Sequence, residues 1–98
     1  MSKTTFSSKC RILGDFWLDY REDAKSDENW QEFFEWADIG LPLAFHVDRG
    51  YVDNPSSLGI EMIENTWNVF CEMCSVDPDG DYINLVDVFD ASPNDRIQ

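Results

Sequence analysis

Positive charge almost disappears from this chain after its first quarter. Of seven Lys and Arg in 98 residues, five lie in Met1–Lys25, while Ser26–Asp95 holds sixteen Asp and Glu against Arg49 alone. A stretch with so few cations cannot neutralise a phosphate backbone, and its field repels nucleic acid and anionic lipid. Direct binding of DNA or RNA and adsorption to a membrane are not expected, whereas basic protein surfaces and cations are attracted. Histidine is also scarce. His46 is the only one, and no Ser or Cys stands beside it and Asp48 to complete a nucleophilic arrangement. Carboxylates are so abundant that any acid–base pair can be imagined among them, so their number is no mark of a hydrolase. A binding protein is expected, not an enzyme.

Long apolar runs are lacking as well. Met1–Gly14 contains no run of signal-peptide length, and no segment approaches the roughly 20 apolar residues of a spanning helix. The expectation is a soluble, cytoplasmic protein. Three cysteines, an odd number with two of them three positions apart, do not make the disulfide framework of a small secreted domain, and reduced thiols are expected.

What the acidic stretch does contain is aromatic mass: Trp30, Phe33, Phe34, Trp36, Phe45, Trp67, Phe70, Tyr82 and Phe89. A disordered acidic tail lacks such residues, so the stretch should fold. The length suits one compact domain. Phe6, Cys10, Leu13, Trp17 and Tyr20 recur at steps of four and three, which predicts a helix to about Glu22 whose core face they form. Its Arg11 and Asp15, one turn apart, should partly neutralise each other. Ser26, Asp27 or Asn29 can cap a second helix that buries Trp30, Phe33, Phe34 and Ala37 and turns Glu28, Glu32 and Glu35 outward. Trp36 falls between the two stripes, so edge-of-core packing and exposure both fit it. Gly40 suits a C-cap, and Pro42 suits the first position of a third helix running to Arg49 and stopping at Gly50. Asn54-Pro55 starts a fourth, with Ile60, Ile63, Trp67, Phe70 and Cys74 inward and Glu61, Glu64, Asn65, Asn68 and Glu72 outward. Ile83, Val86 and Phe89 suit a short last helix, although Tyr82-Ile83 and Val86–Val88 would tolerate a strand. An all-α compact bundle of four to five helices follows, one domain over residues 1–90 with a frayed tail at 91–98. Trp17, Phe33, Ile63, Trp67 and Phe70 are its expected core.

Two motifs carry possible metal chemistry. Asp77-Pro78-Asp79-Gly80-Asp81-Tyr82-Ile83-Asn84-Leu85-Val86-Asp87 resembles an EF-hand calcium loop, with Asp77, Asp79, Asp81 and Asp87 at ligand positions. The glycine after the third Asp is absent and the last ligand is Asp, where a bidentate Glu is usual, so any calcium affinity should be weak. The competing reading is a solvated turn in which Asp79 or Asp81 caps the last helix. Cys71-Glu72-Met73-Cys74 has dithiol spacing, but near a helix C-terminus the dipole disfavours a thiolate. A zinc set completed by Cys10 and His46 competes with burial, since each cysteine already fits an apolar stripe.

The segments Ile12-Leu13-Gly14-Asp15-Phe16-Trp17-Leu18-Asp19-Tyr20-Arg21-Glu22-Asp23, Asp38-Ile39-Gly40-Leu41-Pro42-Leu43-Ala44 and Glu64-Asn65-Thr66-Trp67 resemble a group of small acidic proteins of tailed bacteriophages, over about residues 12–75. The resemblance implies an accessory protein of the host cytoplasm that binds a host enzyme or defence factor, and it transfers no catalytic residue. Neither the Cys71–Cys74 pair nor the aspartate-rich loop belongs to it. The functional expectation is an acidic protein that engages a basic protein surface through Glu28, Glu32, Glu35, Trp36, Asp38, Glu61 and Glu64. It would act as an inhibitor, presenting carboxylates where the partner expects nucleic-acid phosphates. The alternative is a small calcium-responsive module built on residues 77–87.

Overall fold

Among the described residues, four of the five α-helix starts are fixed by side-chain caps. In the computed structural model, which describes residues 4–92, Thr5 accepts from Ser8 N at 3.1 Å and opens α1, Phe6–Tyr20. A 3₁₀ turn, Asp23–Ser26, leads to Asp27, whose carboxylate accepts from Asn29 N and Trp30 N and opens α2, Glu28–Trp36. After α3, Gly40–Asp48, Ser56 accepts from Gly59 N and opens α4, Ser57–Cys74. Asn84 and Asp87 form a reciprocal capping box for α5, Leu85–Ala91. Each such cap satisfies backbone donors the helix cannot satisfy itself, at about 1 kcal/mol apiece. No strand occurs among the described residues, so the last segment takes the helical option and the all-α architecture holds.

The core gathers on α1 and α4, with α3 packed along one side of α1 and α5 across both. Trp67, Phe70, Ile12, Leu13, Leu41, Ile63 and Val88 are fully buried. A Cα radius of gyration of 12.9 Å matches the ~13 Å of a folded domain this long. Two glycines set the helix spacing. A Cβ on Gly14 would stand 2.9 Å from Phe45 Cα, and one on Gly40 would strike the Thr66 hydroxyl, so α3 lies against α1 and α4 at backbone distance.

Several boundaries and faces differ from the sequence reading. Helix α1 ends at Tyr20, not Glu22, because the chain tightens into the 3₁₀ turn. Its core arc is wider than one stripe: α1 is flanked by α3, α4 and α5, so Ile12, Gly14 and Phe16 are buried with Cys10 and Leu13. Trp17, expected at the core centre, is only half-buried, with its ring against Phe45 and the Arg21 guanidinium over it. Arg11 and Asp15 do not pair with each other. Arg11 reaches Asp48 and Asp15 reaches Arg49, so both charges tie α1 to α3.

Gly40 begins α3 instead of capping α2, and Pro42 sits at its third position, where a missing N–H still costs nothing. Ser56, not Asn54, caps α4, and Ile60 is exposed. Because Asn84 sets the phase of α5, Leu85 and Val88 face inward with Phe89 partly buried, while Ile83 and Val86 are 59% and 62% exposed. Ala91 closes α5 and Ser92 is buried, while residues 93–98 of the expected tail lie outside the described residues.

Trp67→Ala should cost about 3–5 kcal/mol in a urea denaturation. Gly14→Ala is the sharper test. Helix propensity favours Ala by about 1 kcal/mol, but forcing α3 away from α1 costs about 1–3 kcal/mol. The variant should be less stable than the parent.

Candidate functional site

The described cations are spent inside the fold. Lys9 Nζ meets Glu64 Oε1 at 2.6 Å, bridging α1 and α4, and Lys25 meets Glu22 at 3.1 Å. Arg11 approaches Asp48 at 4.0 Å, and Arg49 reaches Asp15 at 3.3 Å and also pairs with Asp48. Arg21 lies over the Trp17 ring, 4.6 Å from its centroid. Among the described residues no Lys or Arg is left without such a contact, and the field of the carboxylates is concentrated where they stand unpaired.

One such place is α2. Glu28, Glu32 and Glu35 are all exposed, as is Asp38 just beyond the helix, and none of the four forms an ion pair among the described residues. Trp36 is 55% exposed, which decides between its two readings: it belongs to the surface. The helix stands this way because its other side is held by aromatic contacts. Trp30 and Phe33 lie 4.9 and 6.3 Å from Phe16, ring centre to ring centre, and Phe33 lies 6.3 Å from Phe70. Beside the acidic stripe runs a groove of about 560 Å³ between α2 and α4, lined by Asn29, Glu32, Phe33, Trp36, Val69 and Met73.

The other two expected surface carboxylates are elsewhere. Glu64 is the partner of Lys9, so it holds α1 to α4 and is not available as an unpaired charge. Glu61 is exposed, but it precedes Val69 by two helical turns of α4, roughly 12 Å along the axis, away from the groove.

The aspartate-rich loop is tied into the fold by its backbone. Trp67 Nε1 donates to the Pro78 carbonyl at 3.0 Å, Tyr82 Oη donates to the Asp77 carbonyl at 2.9 Å, and Thr4 Oγ1 donates to the Gly80 carbonyl at 2.6 Å. Asp77 accepts from Asp79 N, and one Asp87 oxygen accepts from both Ile83 N and Asn84 N. Asp87 is therefore the N3 residue of the α5 capping box, and the cap is Asn84, not Asp79 or Asp81 as the turn reading supposed. Asp77, Asp79, Asp81 and Asp87 do not converge, and no group of three or more His, Cys, Asp or Glu among the described residues is placed to hold a metal ion. His46 is exposed, with its ring against Phe45 and Tyr51, and does not join the cysteines.

All three cysteines are buried and none is in a disulfide. Burial, reinforced by the Asp48 and Glu64 carboxylates, pushes the Cys10 thiol up to about 12 from the usual 9.0. Burial first, then the neighbouring Cys74 thiol, pushes Cys71 up to about 12 as well, with Lys9 opposing. Neither is a nucleophile at neutral pH.

Sequence reasoning missed a second aromatic site. Phe16, Tyr20, Trp30, Phe34 and Phe89 surround a cavity of about 490 Å³ with Asp23 and Asp27 among its lining residues. Periodicity assigned most of these rings to core stripes, and only the neighbouring aspartates hinted that one side stays open to water.

Two measurements check this picture. In the unfolded chain the thiols ionise near 9.0, whereas in the folded chain Cys10 and Cys71 hold their protons to about 12. Their contribution is thus fully present below about pH 9 and is lost as pH rises toward about 12. Urea midpoints should fall over that window, and less so in Cys10→Ala and Cys71→Ala when each is referred to its own neutral-pH value. Separately, Asp87→Ala should cost about 1 kcal/mol in calcium-free buffer, because it removes half of the capping box.

Comparison with known proteins gives no match to a family model, to a curated protein or to a solved structure.

Proposed function

We propose that this protein is a non-enzymatic acidic binding module that inhibits a basic, nucleic-acid-binding or defence protein of a bacterial host by occupying its phosphate-binding surface. The observation that carries this reading is the outer face of α2, where Glu28, Glu32, Glu35 and Asp38 are exposed and form no ion pair among the described residues, with Trp36 beside them. Along the helix the three glutamates are spaced by roughly 6 and 4.5 Å, on the scale of the ~3.4 Å phosphate spacing of a DNA strand. An exposed Trp next to charge supports an interface, because Trp is enriched among the residues that dominate binding energy. Solubility of a small domain needs a net charge of about 2–8, and this chain carries −13. The resemblance to small acidic phage proteins supplies the setting: a phage-encoded accessory protein acting in the host cytoplasm.

The test is capture of partners from bacterial cytosol at low and at high salt, followed by competition. A genuine partner is released by duplex DNA or heparin and loses its own DNA binding when this protein is added. Steering by charge makes its association rate fall by roughly tenfold or more as salt rises. Replacing Glu28, Glu32 and Glu35 together by Gln should weaken binding by about 1–3 kcal/mol in total without lowering the melting temperature. Trp36→Ala should cost about 2 kcal/mol of affinity. A partner indifferent to salt and to both changes would remove α2 from the interface.

A further inference from the structure

The geometry points to a specific receptor within this acidic surface: the cavity bounded by α1, the Asp23–Ser26 turn, α2, α4 and α5 takes the guanidinium group of an arginine side chain from the basic protein partner. The inference rests on the proposed function for the nature of the partner, and adds where one of its side chains is held.

At about 490 Å³ the cavity has the volume of a small-ligand pocket. Its walls are aromatic. Phe16, only 2% exposed, has Tyr20 stacked on it at 5.1 Å, with Trp30 at 4.9 Å and Phe34 at 5.4 Å, and Phe89 meets Tyr20 edge-on at 5.7 Å. Ring faces attract cations, and more strongly once water is excluded. Among the described residues the charged lining residues are Asp23 and Asp27, and no Lys or Arg lines the cavity. Asp27 uses one oxygen for the Asn29 and Trp30 amides, and its second oxygen makes no bond among the described residues. The Asp23 side chain likewise has no partner among them. Aromatic walls with unmatched carboxylates are complementary to a flat, weakly hydrated cation with an apolar stem, which describes arginine better than lysine. The chain itself uses that pairing twice, with Arg21 4.6 Å over Trp17 and Arg49 4.8 Å over Phe45.

The experiment is an NMR titration of the full chain with N-acetyl-arginine amide and with its neutral isostere, N-acetyl-citrulline amide. The arginine probe should shift the Trp30 indole, Tyr20 and Phe89 signals and bind roughly tenfold more tightly than citrulline. Asp23→Asn with Asp27→Asn keeps the cap, since Asn caps as well as Asp, and should abolish that preference. Equal response to citrulline would overturn the assignment by making the cavity merely apolar. Tighter binding of tetramethylammonium than of the arginine probe would overturn it in favour of another cation.

Arg96→Gln should leave the probe's affinity unchanged; a tighter grip in that variant would make the chain's own arginine the occupant. The two readings also separate. A captured partner lost on changing Glu28, Glu32 and Glu35 to Gln but kept in the Asp23, Asp27 variant overturns the receptor and spares the acidic face. Selective arginine binding in the cavity, with no basic partner found in the cytosol, supports the receptor and sinks the inhibitor reading.

Discussion

A buried indole must find a hydrogen-bond acceptor, and much of this fold is arranged around how Trp67 finds one. Its ring is fully buried at the centre of α4, against Phe70 and Tyr82, and its N–H reaches out of the core to the Pro78 carbonyl. Leaving that donor unpaired would cost about 1–3 kcal/mol, so the acceptor has to be held in place. Tyr82 does this from within the loop by donating to the Asp77 carbonyl. Thr4 does it from the other end of the chain, donating to Gly80 and accepting from Tyr82 N at 2.9 Å. A loop whose sequence resembles a calcium site thus serves as a backbone bracket for one tryptophan. Its aspartates are on the outside because its carbonyls are used on the inside.

The same economy governs charge. Three of the described cations are placed where α1 must be joined to its neighbours: Lys9 to α4, and Arg11, with Arg49 from the opposite side, across the α1–α3 seam. Pairs this exposed contribute little stability, about 0–1 kcal/mol each, so their larger effect is on where the field is. They cancel acids at the seams and, among the described residues, leave the α2 carboxylates without an ion pair. The acidic character of the surface is therefore a product of the fold as well as of composition.

Helix positions and the centre of the core were legible because they rest on long periodic segments: Ile63, Trp67 and Phe70 in α4, and Phe33 in α2, are buried as their spacing requires. Short elements were not. In α5 the phase is set by one cap, Asn84, and a cap hidden in a run of Asp and Asn can be read at Asp79, Asp81 or Asn84 with equal sense from the string alone. Trp17 failed for a different reason. An element flanked on several sides buries more than one stripe, and periodicity cannot say how many neighbours a helix will have. Glu64 illustrates the limit for the surface: its polar-side position is correct, but only the approach of α1 shows that Lys9 claims it. The aromatic cavity escaped for a related reason, since a ring that lines a pocket and a ring that fills a core have the same spacing in sequence.

The α2 face carries a physical cost that bears on its use. Glu28, Glu32 and Glu35 are neighbours one turn apart, and like charges at that spacing destabilise a helix by about 0.2–0.5 kcal/mol per pair. Only Glu28 and the Asp27 cap, at the N-terminus, gain from the helix dipole; Glu35, near the other end, does not. A helix of nine residues is too short to hold itself in water, so this repulsion is offset by Trp30 and Phe33 packing against Phe16 and Phe70. Glutamine at the same three positions would keep the helix and relieve the strain at no loss of packing. Glu32 and Glu35, which gain nothing from the dipole, therefore work against the stability of the helix that displays them. That cost is understood if what the helix presents is the charge itself, held rigid beside Trp36 for another surface to meet.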